Sequence, residues 1–300
     1  MRPAPVLAAG GRTVGNILSA TEWMLPSPAT QVHTISVLPS HSPSPAPQFA
    51  FSNLTTASKS SGGKGDQQGT PRFDVVRDDL LHPLANGNKA RKLDALLPLL
   101  RRRGATDVIT CGGCQSAHAA AVGVMRLVEH LSCLSSFHND EEVHIVVDAG
   151  TGTTAVGLAL GAVCLGLHWR VTAVMLADTL ERYQEQEKSL ISDFKGLCHE
   201  DCHHLVGTDG LVHWVDRSSP RRFGKVLGGE IASCRQVARQ TGILLDPVYT
   251  LAAWEQAVDL CRGDGREAKV AMIHTGGTLG LFGLAQRYPQ HFAATANGQA

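Results

Sequence analysis

The feature that most restricts the fold of this chain is a recurring unit of a short apolar strand, a glycine-containing turn and a helix. Residues 143–147 read Val-His-Ile-Val-Val and lead into a glycine turn at 148–154 and then an Ala/Leu/Gly-rich helical segment. A second copy begins with the apolar run 270–273 and continues through His-Thr-Gly-Gly at 274–277. Short buried strands that alternate with helices are typical of α/β proteins. The sequence therefore predicts a layered α/β fold.

Composition excludes several classes of partner. The 300 residues contain 27 Lys and Arg against 27 Asp and Glu, so there is no net charge to favour a nucleic-acid backbone or an acidic membrane surface. No uncharged apolar run reaches the roughly 18 residues expected of a transmembrane helix. The eight cysteines are scattered, mostly in apolar stretches, which fits reduced thiols better than a disulfide framework. A small-molecule function is the better prediction.

The N-terminal part of the chain differs in composition from the rest. Residues 1–22 carry two arginines and no acidic residue before Glu22, which is typical of an organellar transit peptide. A mitochondrial location is predicted, with the plastid and the cytoplasm as alternatives, although an ordinary disordered tail explains the same composition. Residues 23–72 are rich in Ser, Pro and Gly and are expected to be mostly irregular. The α/β pattern occupies residues 73–300.

The glycine turn after the strand at 143–147 offers a site for an anion. Its five central residues are glycines and threonines, namely Gly150, Thr151, Gly152, Thr153 and Thr154. They would direct backbone N–H groups, hydroxyls and a helix N-terminus at one point, and a phosphate is the natural occupant. A plain tight turn is the alternative. Residues 150–155 also fit the G-x-G-x-x-A pattern of dinucleotide-binding proteins. In that alternative, Asp178 after the next strand would be the ribose ligand.

A lysine-rich helix start favours an aldehyde cofactor over a dinucleotide. The segment 86–92 reads Asn-Gly-Asn-Lys-Ala-Arg-Lys and places Lys89 at the start of a helix beside other cations. Neighbouring positive charge and the field of a helix N-terminus lower the pKa of an amine, which imine formation with an aldehyde requires. Taken alone, such a cluster is more often a solvated surface feature.

Two segments rich in Cys and His have weaker interpretations. Residues 111–118 read Cys-Gly-Gly-Cys-Gln-Ser-Ala-His, a turn whose amides, hydroxyl and imidazole suit a substrate carboxylate. The same segment is a C-x-x-C pair, but no second pair stands at zinc-ribbon spacing. Residues 198–204 contain two Cys, three His and two acidic residues. A zinc site there is the alternative to a polar loop, and we predict no metal.

These pieces occur together, in the same order, in a known group of enzymes. The motifs are 77–79 with 86–89, then 111–118, 148–157, 246–250 and 274–277. Through them the chain resembles the D-cysteine desulfhydrase and 1-aminocyclopropane-1-carboxylate deaminase family. This family belongs to the fold type II enzymes that use pyridoxal 5'-phosphate (PLP). The resemblance runs from about Trp23 to Tyr288 and implies a tryptophan synthase beta-like open twisted sheet with PLP as cofactor.

The resemblance also implies a role for each matching residue. Lys89 would hold PLP covalently and act as base, while Lys92 and the segment Gly150, Thr151, Gly152, Thr153 and Thr154 would bind its phosphate. Thr275 would lie beside the pyridine nitrogen as a neutral partner. Tyr249 would be the active-site tyrosine of the family, and this residue or a neighbour would act as the acid. The residues that contact the substrate would be Gln115, Ser116, His118 and Tyr249, with Ser116 at its carboxylate.

The implied reaction is β-elimination of D-cysteine to pyruvate, ammonia and hydrogen sulfide. The deaminase branch of the family carries Glu directly after the active-site tyrosine, and this chain has Thr250, which favours elimination over ring opening. A small amino acid would be the ligand, and a homodimer is the expected assembly.

One departure from the family pattern bears on activity. Ser116 and Asp148 are only 32 positions apart, whereas family members have a much longer segment there, which builds most of the small domain over PLP. The resemblance therefore implies an incomplete small domain, with 73–124 as its remnant and 125–300 as the large domain. Losing this cover would expose sheet edges and admit water to the site. We expect weak or absent turnover, and a non-catalytic remnant of the family is a further hypothesis.

Overall fold

The chain forms one β-sheet with helices on both faces. The computed structural model describes residues 9–39, 47–52, 70–85, 87–107, 117–137, 142–197, 206–207, 209–263 and 268–292. The strands are β1 (Val32–Leu38), β2 (Gln48–Ser52), β3 (Arg72–Val76), β4 (Val143–Ala149), β5 (Trp169–Met175), β6 (Val212–Asp216) and β7 (Lys269–Ile273). The helices are α1 (Ala9–Ala20), α2 (Asn88–Arg102), α3 (Ala117–Ser132), α4 (Thr153–Leu165), α5 (Leu180–Leu197), α6 (Glu230–Thr241), α7 (Thr250–Arg262), α8 (Gly280–Arg287) and α9 (Pro289–Phe292).

The order of the strands creates a crevice near the middle of the sheet. That order is β2-β1-β3-β7-β4-β5-β6, with β1 antiparallel to both its neighbours and the other pairs parallel. The chain runs outward from β4 to β6 and then returns to place β7 on the other side of β4. The strand order therefore reverses between β4 and β7. In open α/β sheets, ligands bind outside the carboxyl ends of the strands at such a reversal.

Two hydrophobic cores cover the two faces of the sheet. One contains α3, α4 and α5 together with α1, and the other contains α6 and α7. Helix α4 is apolar on every side because it lies between the sheet and the neighbouring helices. Helices α2 and α3 cross so closely that a Cβ atom on Gly123 would lie 2.1 Å from the carbonyl oxygen of Arg91. This crossing connects the lysine-bearing helix to the main core.

The predicted α/β fold is confirmed, since β4 is followed by α4 and β7 by α8, and Lys89 lies at the start of α2. Strands β1 and β2 are different, since they lie inside the segment 23–72 that was expected to be mostly irregular. Part of the candidate transit segment 1–22 forms α1, whose Val14 and Leu18 are buried in the core shared with α3 and α4. The β-branched run Val-Ile-Thr at 108–110, which predicts a further strand, lies outside the described residues.

None of the helices in the described ranges combines the length and the apolar character that crossing a membrane would need.

Candidate functional site

The crevice between β4 and β7 brings together two residues from opposite halves of the sequence. Asp148 lies at the end of β4 and Thr275 follows β7, and the Thr275 hydroxyl donates a hydrogen bond of 2.5 Å to Asp148 Oδ1. Both residues are buried. Burial raises the pKa of the Asp148 carboxyl to about 7; the Thr275 hydrogen bond and the charge of Lys89 oppose this shift, and the charge of Asp246 adds to it. The carboxyl therefore exchanges its proton near neutral pH.

The start of α2 is bonded directly to this crevice. The Asn88 backbone N–H donates to the Thr275 carbonyl oxygen at 3.0 Å, and the Asn88 side-chain amide donates to Thr154 Oγ1 at 3.1 Å. Gly87 has a φ of 69°, and a Cβ atom there would lie 1.8 Å from the Thr275 carbonyl oxygen. Only glycine allows so close an approach. Lys89 follows directly after these contacts.

An ion pair ties the same helix to β3. Arg91 in α2 donates from Nε and Nη2 to the two carboxylate oxygens of Asp78, each at 2.6 Å. Asp79 instead accepts two hydrogen bonds from Arg77 at 2.7 and 2.8 Å. All four of these side chains are buried. The Arg-Asp-Asp motif at 77–79 thus positions the lysine helix.

The two lysines of α2 have different environments. Lys89 is exposed to solvent at the open edge of the sheet, and its charge lowers the pKa of the Asp148 carboxyl. Burial, together with the neighbouring Lys89, lowers the pKa of the Lys92 amine to about 8. Neighbouring positive charge thus acts on the Lys92 amine. Both lysines have electrostatic contact with Asp148.

The glycine–threonine turn begins α4 at the carboxyl end of β4. Gly152 has the left-handed φ of 77° and, as a glycine, provides no side-chain cap, and the first-turn N–H groups of an α-helix have no partner within the helix. Thr151 is exposed, its hydroxyl lies 3.2 Å from that of Thr153, and Thr154 accepts the bond from Asn88. Backbone amides, hydroxyls and the Lys92 ammonium form a donor set that suits a phosphate.

Tyr249 lies against this turn at Gly150. Its ring is in contact distance of Gly150, since a Cβ atom there would lie 3.4 Å from Tyr249 Cε1. Burial raises the pKa of the Tyr249 hydroxyl, and the charges of Asp246 and Asp148 add to the effect. The hydroxyl therefore keeps its proton at neutral pH. Thr250 is fully buried, and its hydroxyl donates to Asp246 at 2.9 Å rather than facing the crevice.

Sequence reasoning missed two aromatic residues, Tyr183 and Trp214, that support the glycine–threonine turn. The Tyr183 hydroxyl donates to the Ala149 carbonyl oxygen at 2.6 Å and accepts the backbone N–H groups of Leu176 and Ala177. The Tyr183 ring stacks on Trp214, 4.9 Å away between centroids. A Cβ atom on Gly152 would lie 2.8 Å from the Trp214 ring, so the two aromatic residues help to determine the position of the turn. No local pattern marks them, because their partners are distant in sequence.

A cavity of about 630 Å³ opens next to Tyr249 at the ends of β5 and β6. The Phe223 ring lines it and meets the Tyr249 ring edge to face, with 5.7 Å between centroids. Asp178, the acid that the dinucleotide alternative requires, lines this cavity and is exposed. The other charged residues in its lining are Asp216, Arg217, Arg221, Arg222 and Lys225.

Several predicted residues fall outside what the structure describes. Gln115, Ser116 and the C-x-x-C pair lie in the undescribed segment 108–116, and the cluster 198–204 is also undescribed. His118 lies in the first turn of α3, where the backbone alone is described. The residues that the structure brings to one crevice are Lys89, Lys92, Gly150, Thr151, Gly152, Thr153, Thr154, Tyr249 and Thr275. Their roles stay predictions.

The chain is similar to proteins of one enzyme group. No protein-family model matches it. It is 59% identical to a putative D-cysteine desulfhydrase 2, mitochondrial, of Oryza sativa subsp. japonica, over 98% of this chain and 99% of that protein. It is 29% identical to a bifunctional D-cysteine desulfhydrase/1-aminocyclopropane-1-carboxylate deaminase, mitochondrial, of Arabidopsis thaliana, over 46% of this chain and 33% of that protein. The crystal structure of an ACC deaminase homologue has a TM-score of 0.57 and 22% identity, covering 74% of this chain and 89% of that one, which shows a shared fold.

The rice relative is also longer within the matched region. The alignment extends over 404 residues, whereas this chain has 300, so more than a hundred aligned positions have no counterpart here.

Proposed function

Because the chain belongs to the family of D-cysteine desulfhydrases and 1-aminocyclopropane-1-carboxylate deaminases, we propose that it is a PLP-dependent lyase that releases sulfide from D-cysteine. The observation that carries this proposal is the junction of the lysine helix with the crevice. Asn88, which precedes Lys89, is bonded both to the turn after β7 and to the first turn of α4. The lysine, the anion-binding turn and Thr275 therefore share one edge of the sheet.

The residues at this edge fit PLP. An amine suited to an imine, a phosphate donor set and a hydroxyl for the ring nitrogen are three separate requirements of the cofactor, and Lys89, the start of α4 with Lys92, and Thr275 correspond to them. When bound, PLP withdraws electrons from an amino acid and so acidifies its Cα–H bond. The comparisons give no support to the dinucleotide alternative.

The side chains then divide the proton transfers between them. Lys89 would accept the Cα proton as general base. Tyr249 keeps its hydroxyl proton because the pKa of that hydroxyl is raised, so it is able to protonate the departing thiolate. Water completes the reaction, and D-cysteine and one water molecule give pyruvate, ammonia and hydrogen sulfide.

The same relatives also bear on the location and on the expected turnover of this chain. Both plant relatives are named mitochondrial, which supports a mitochondrial location for this chain. The positions missing relative to the rice protein support the expectation of weak turnover, with the shortened segment between Ser116 and Asp148 as their site. A homodimer is proposed as the assembly.

The first test identifies the cofactor and its lysine together. We expect that borohydride reduction of the purified chain in PLP leaves a pyridoxyl group on Lys89, identified by mass spectrometry of peptides. Lys89→Ala should lose the label. Lys188→Ala changes an exposed lysine of α5, paired with Asp209 at 3.4 Å, and should retain it. Sulfide release from D- and L-cysteine then defines the substrate.

Two outcomes would contradict the proposal. A label on Lys92 alone would show that the neighbouring buried amine is the imine-forming group. A folded chain that takes up no label would favour the non-catalytic remnant.

A further inference from the structure

The hydroxyl of Thr275 does not act alone in the crevice. Its hydrogen bond to Asp148 joins the ends of two adjacent parallel strands, and the two residues are 5% and 6% exposed. A buried carboxyl in hydrogen-bond contact with a hydroxyl can pass a proton to whatever the hydroxyl touches next. Thr275, the neutral residue expected beside the cofactor ring, is thus hydrogen-bonded to an acid.

The charged and polar groups that act on Asp148 belong to three parts of the structure. Lys89 and Lys92 approach from α2, Thr275 from the end of β7, and Asp246 with Tyr249 from the turn before α7. These groups largely offset one another, so burial decides which form of the carboxyl is preferred. The pKa of Asp148 rises to about 7, and a substantial fraction of the molecules retains the proton at neutral pH.

Asp246, a second buried acid in the same region, has a different set of hydrogen-bond donors. It accepts the backbone N–H groups of Val248 and Tyr249 at 2.9 and 2.8 Å, and the N–H and hydroxyl of Thr250 at 3.2 and 2.9 Å. The side-chain donor to Asp148 is the Thr275 hydroxyl, which can reverse its direction.

The direction of the hydrogen bond between Asp148 and Thr275 depends on whether the Asp148 carboxyl carries a proton. When Asp148 is ionised, it holds the Thr275 hydrogen, and the Thr275 oxygen can only accept from a ligand. When Asp148 is protonated, it can donate to the Thr275 oxygen, and the hydroxyl hydrogen is free to point at the ligand. One proton can therefore move from the carboxyl to a basic ligand atom through a short shift of two hydrogen atoms.

We propose that Asp148 is a positioning residue that shares one proton, through the Thr275 hydroxyl, with the ring nitrogen of the cofactor. This inference rests on the proposed function. A proton shared in this way would make the ring a better electron acceptor than a hydroxyl alone would.

The test is nitrogen NMR of the full chain loaded with PLP labelled with ¹⁵N in the ring. We expect the ring-nitrogen shift of the wild type to lie towards the protonated value at pH 5 to 6. It should move to the unprotonated value as the pH rises through about 7, where the shared proton is lost. Asp148→Asn should remain at the unprotonated value over the whole range, since an amide has no proton to give.

Matched variants separate this relay from a structural effect. Thr275→Val interrupts the relay and should also remove the titration, whereas Thr275→Ser preserves the hydroxyl and should restore it. Asp178→Asn changes an exposed acid in the cavity beside Phe223 and should leave the titration as in the wild type. The two Thr275 variants keep the inference testable if Asp148→Asn does not fold.

The outcomes against the inference are distinct from those against the proposed function. A wild-type shift that ignores pH, or an Asp148→Asn protein that titrates like the wild type, overturns the relay while PLP stays bound to Lys89. Absence of any bound cofactor signal, with no pyridoxyl-Lys89, overturns the proposed function itself.

Discussion

Gly87 is the residue on which the position of Lys89 depends most directly. Its φ of 69° and ψ of −147° lie in a region that only glycine adopts readily, and the backbone of Thr275 occupies the space where a side chain would begin. Glycine at this point lets the lysine helix approach the turn after β7. A glycine here is thus a requirement of the junction and not of the helix.

Replacing Gly87 with alanine should therefore be costly. We expect Gly87→Ala to lower the free energy of unfolding by about 3 kcal/mol or more, because backbone strain and a clash with a carbonyl oxygen add together. Urea denaturation followed by circular dichroism measures the change. Gly104→Ala is the control, since Gly104 has a φ of 77° but no atom within 4 Å of its Cβ position. It should cost about 1 to 2 kcal/mol, and equal losses for the two variants would show that the close contact has no effect.

At the scale of elements, the close crossing of α2 and α3 fixes the position of the lysine helix relative to the hydrophobic core. Gly123 in α3 lies against the Arg91 carbonyl oxygen, and the Arg91 side chain holds Asp78 at the end of β3. On the other face of α3, a Cβ atom on Gly161 of α4 would lie 2.9 Å from the Val128 side chain. Small residues at both crossings allow three helices to pack within one layer.

Widening the first crossing should weaken both stability and the site. We expect Gly123→Ala to cost about 1 to 3 kcal/mol in unfolding free energy, because α2 must move away from α3. The yield of pyridoxyl-Lys89 should fall with it. Gly196→Ala in α5 meets no atom within 4 Å and should instead raise stability by up to about 1 kcal/mol through helix propensity. A Gly123→Ala protein as stable as the wild type would mean that the helices adjust without loss.

How far the elements could be predicted depends on how local their signals are. The helix start before Lys89 and the turn after β4 were predicted because glycines, periodic leucines and β-branched runs are signals within a few residues. Strands β1 and β2 were missed because Ser and Pro surround them, and because the pairing of β2 with β1 and of β1 with β3 is not a local signal. The proximity of Thr275 to the glycine turn follows from parallel strands, whose carboxyl ends share an edge. The bond to Asp148 requires the strand order, which local patterns do not contain.

At the scale of the whole molecule, the crevice at the carboxyl ends of β4 and β7 is open to solvent. Lys89 and Thr151 are both exposed at the open edge. More than a hundred positions of that relative have no counterpart in the 300 residues of this chain. Water at the site competes for hydrogen bonds and weakens the electrostatic effects that the reaction uses.

Restoring the missing positions should therefore raise activity. We expect a chimaera that carries the additional rice residues to release sulfide from D-cysteine about tenfold faster or more than the 300-residue chain, as closing an active site does in other enzymes. Steady-state sulfide assays on both proteins give the comparison. The same chimaera with Lys89→Ala should be inactive. Equal rates for the chimaera and the shorter chain would show that the present cover is sufficient.

The bonds between the start of α2 and its neighbours have a consequence for the energetics of turnover. Asn88 is held by two hydrogen bonds and Arg91 by a bidentate ion pair, so the lysine backbone cannot shift unless contacts with β3, β7 and α4 break together. The freedom of that backbone is lost once, when the chain folds, and not again in every reaction cycle. The amide hydrogen of Asn88 should accordingly exchange with solvent only as slowly as global opening permits.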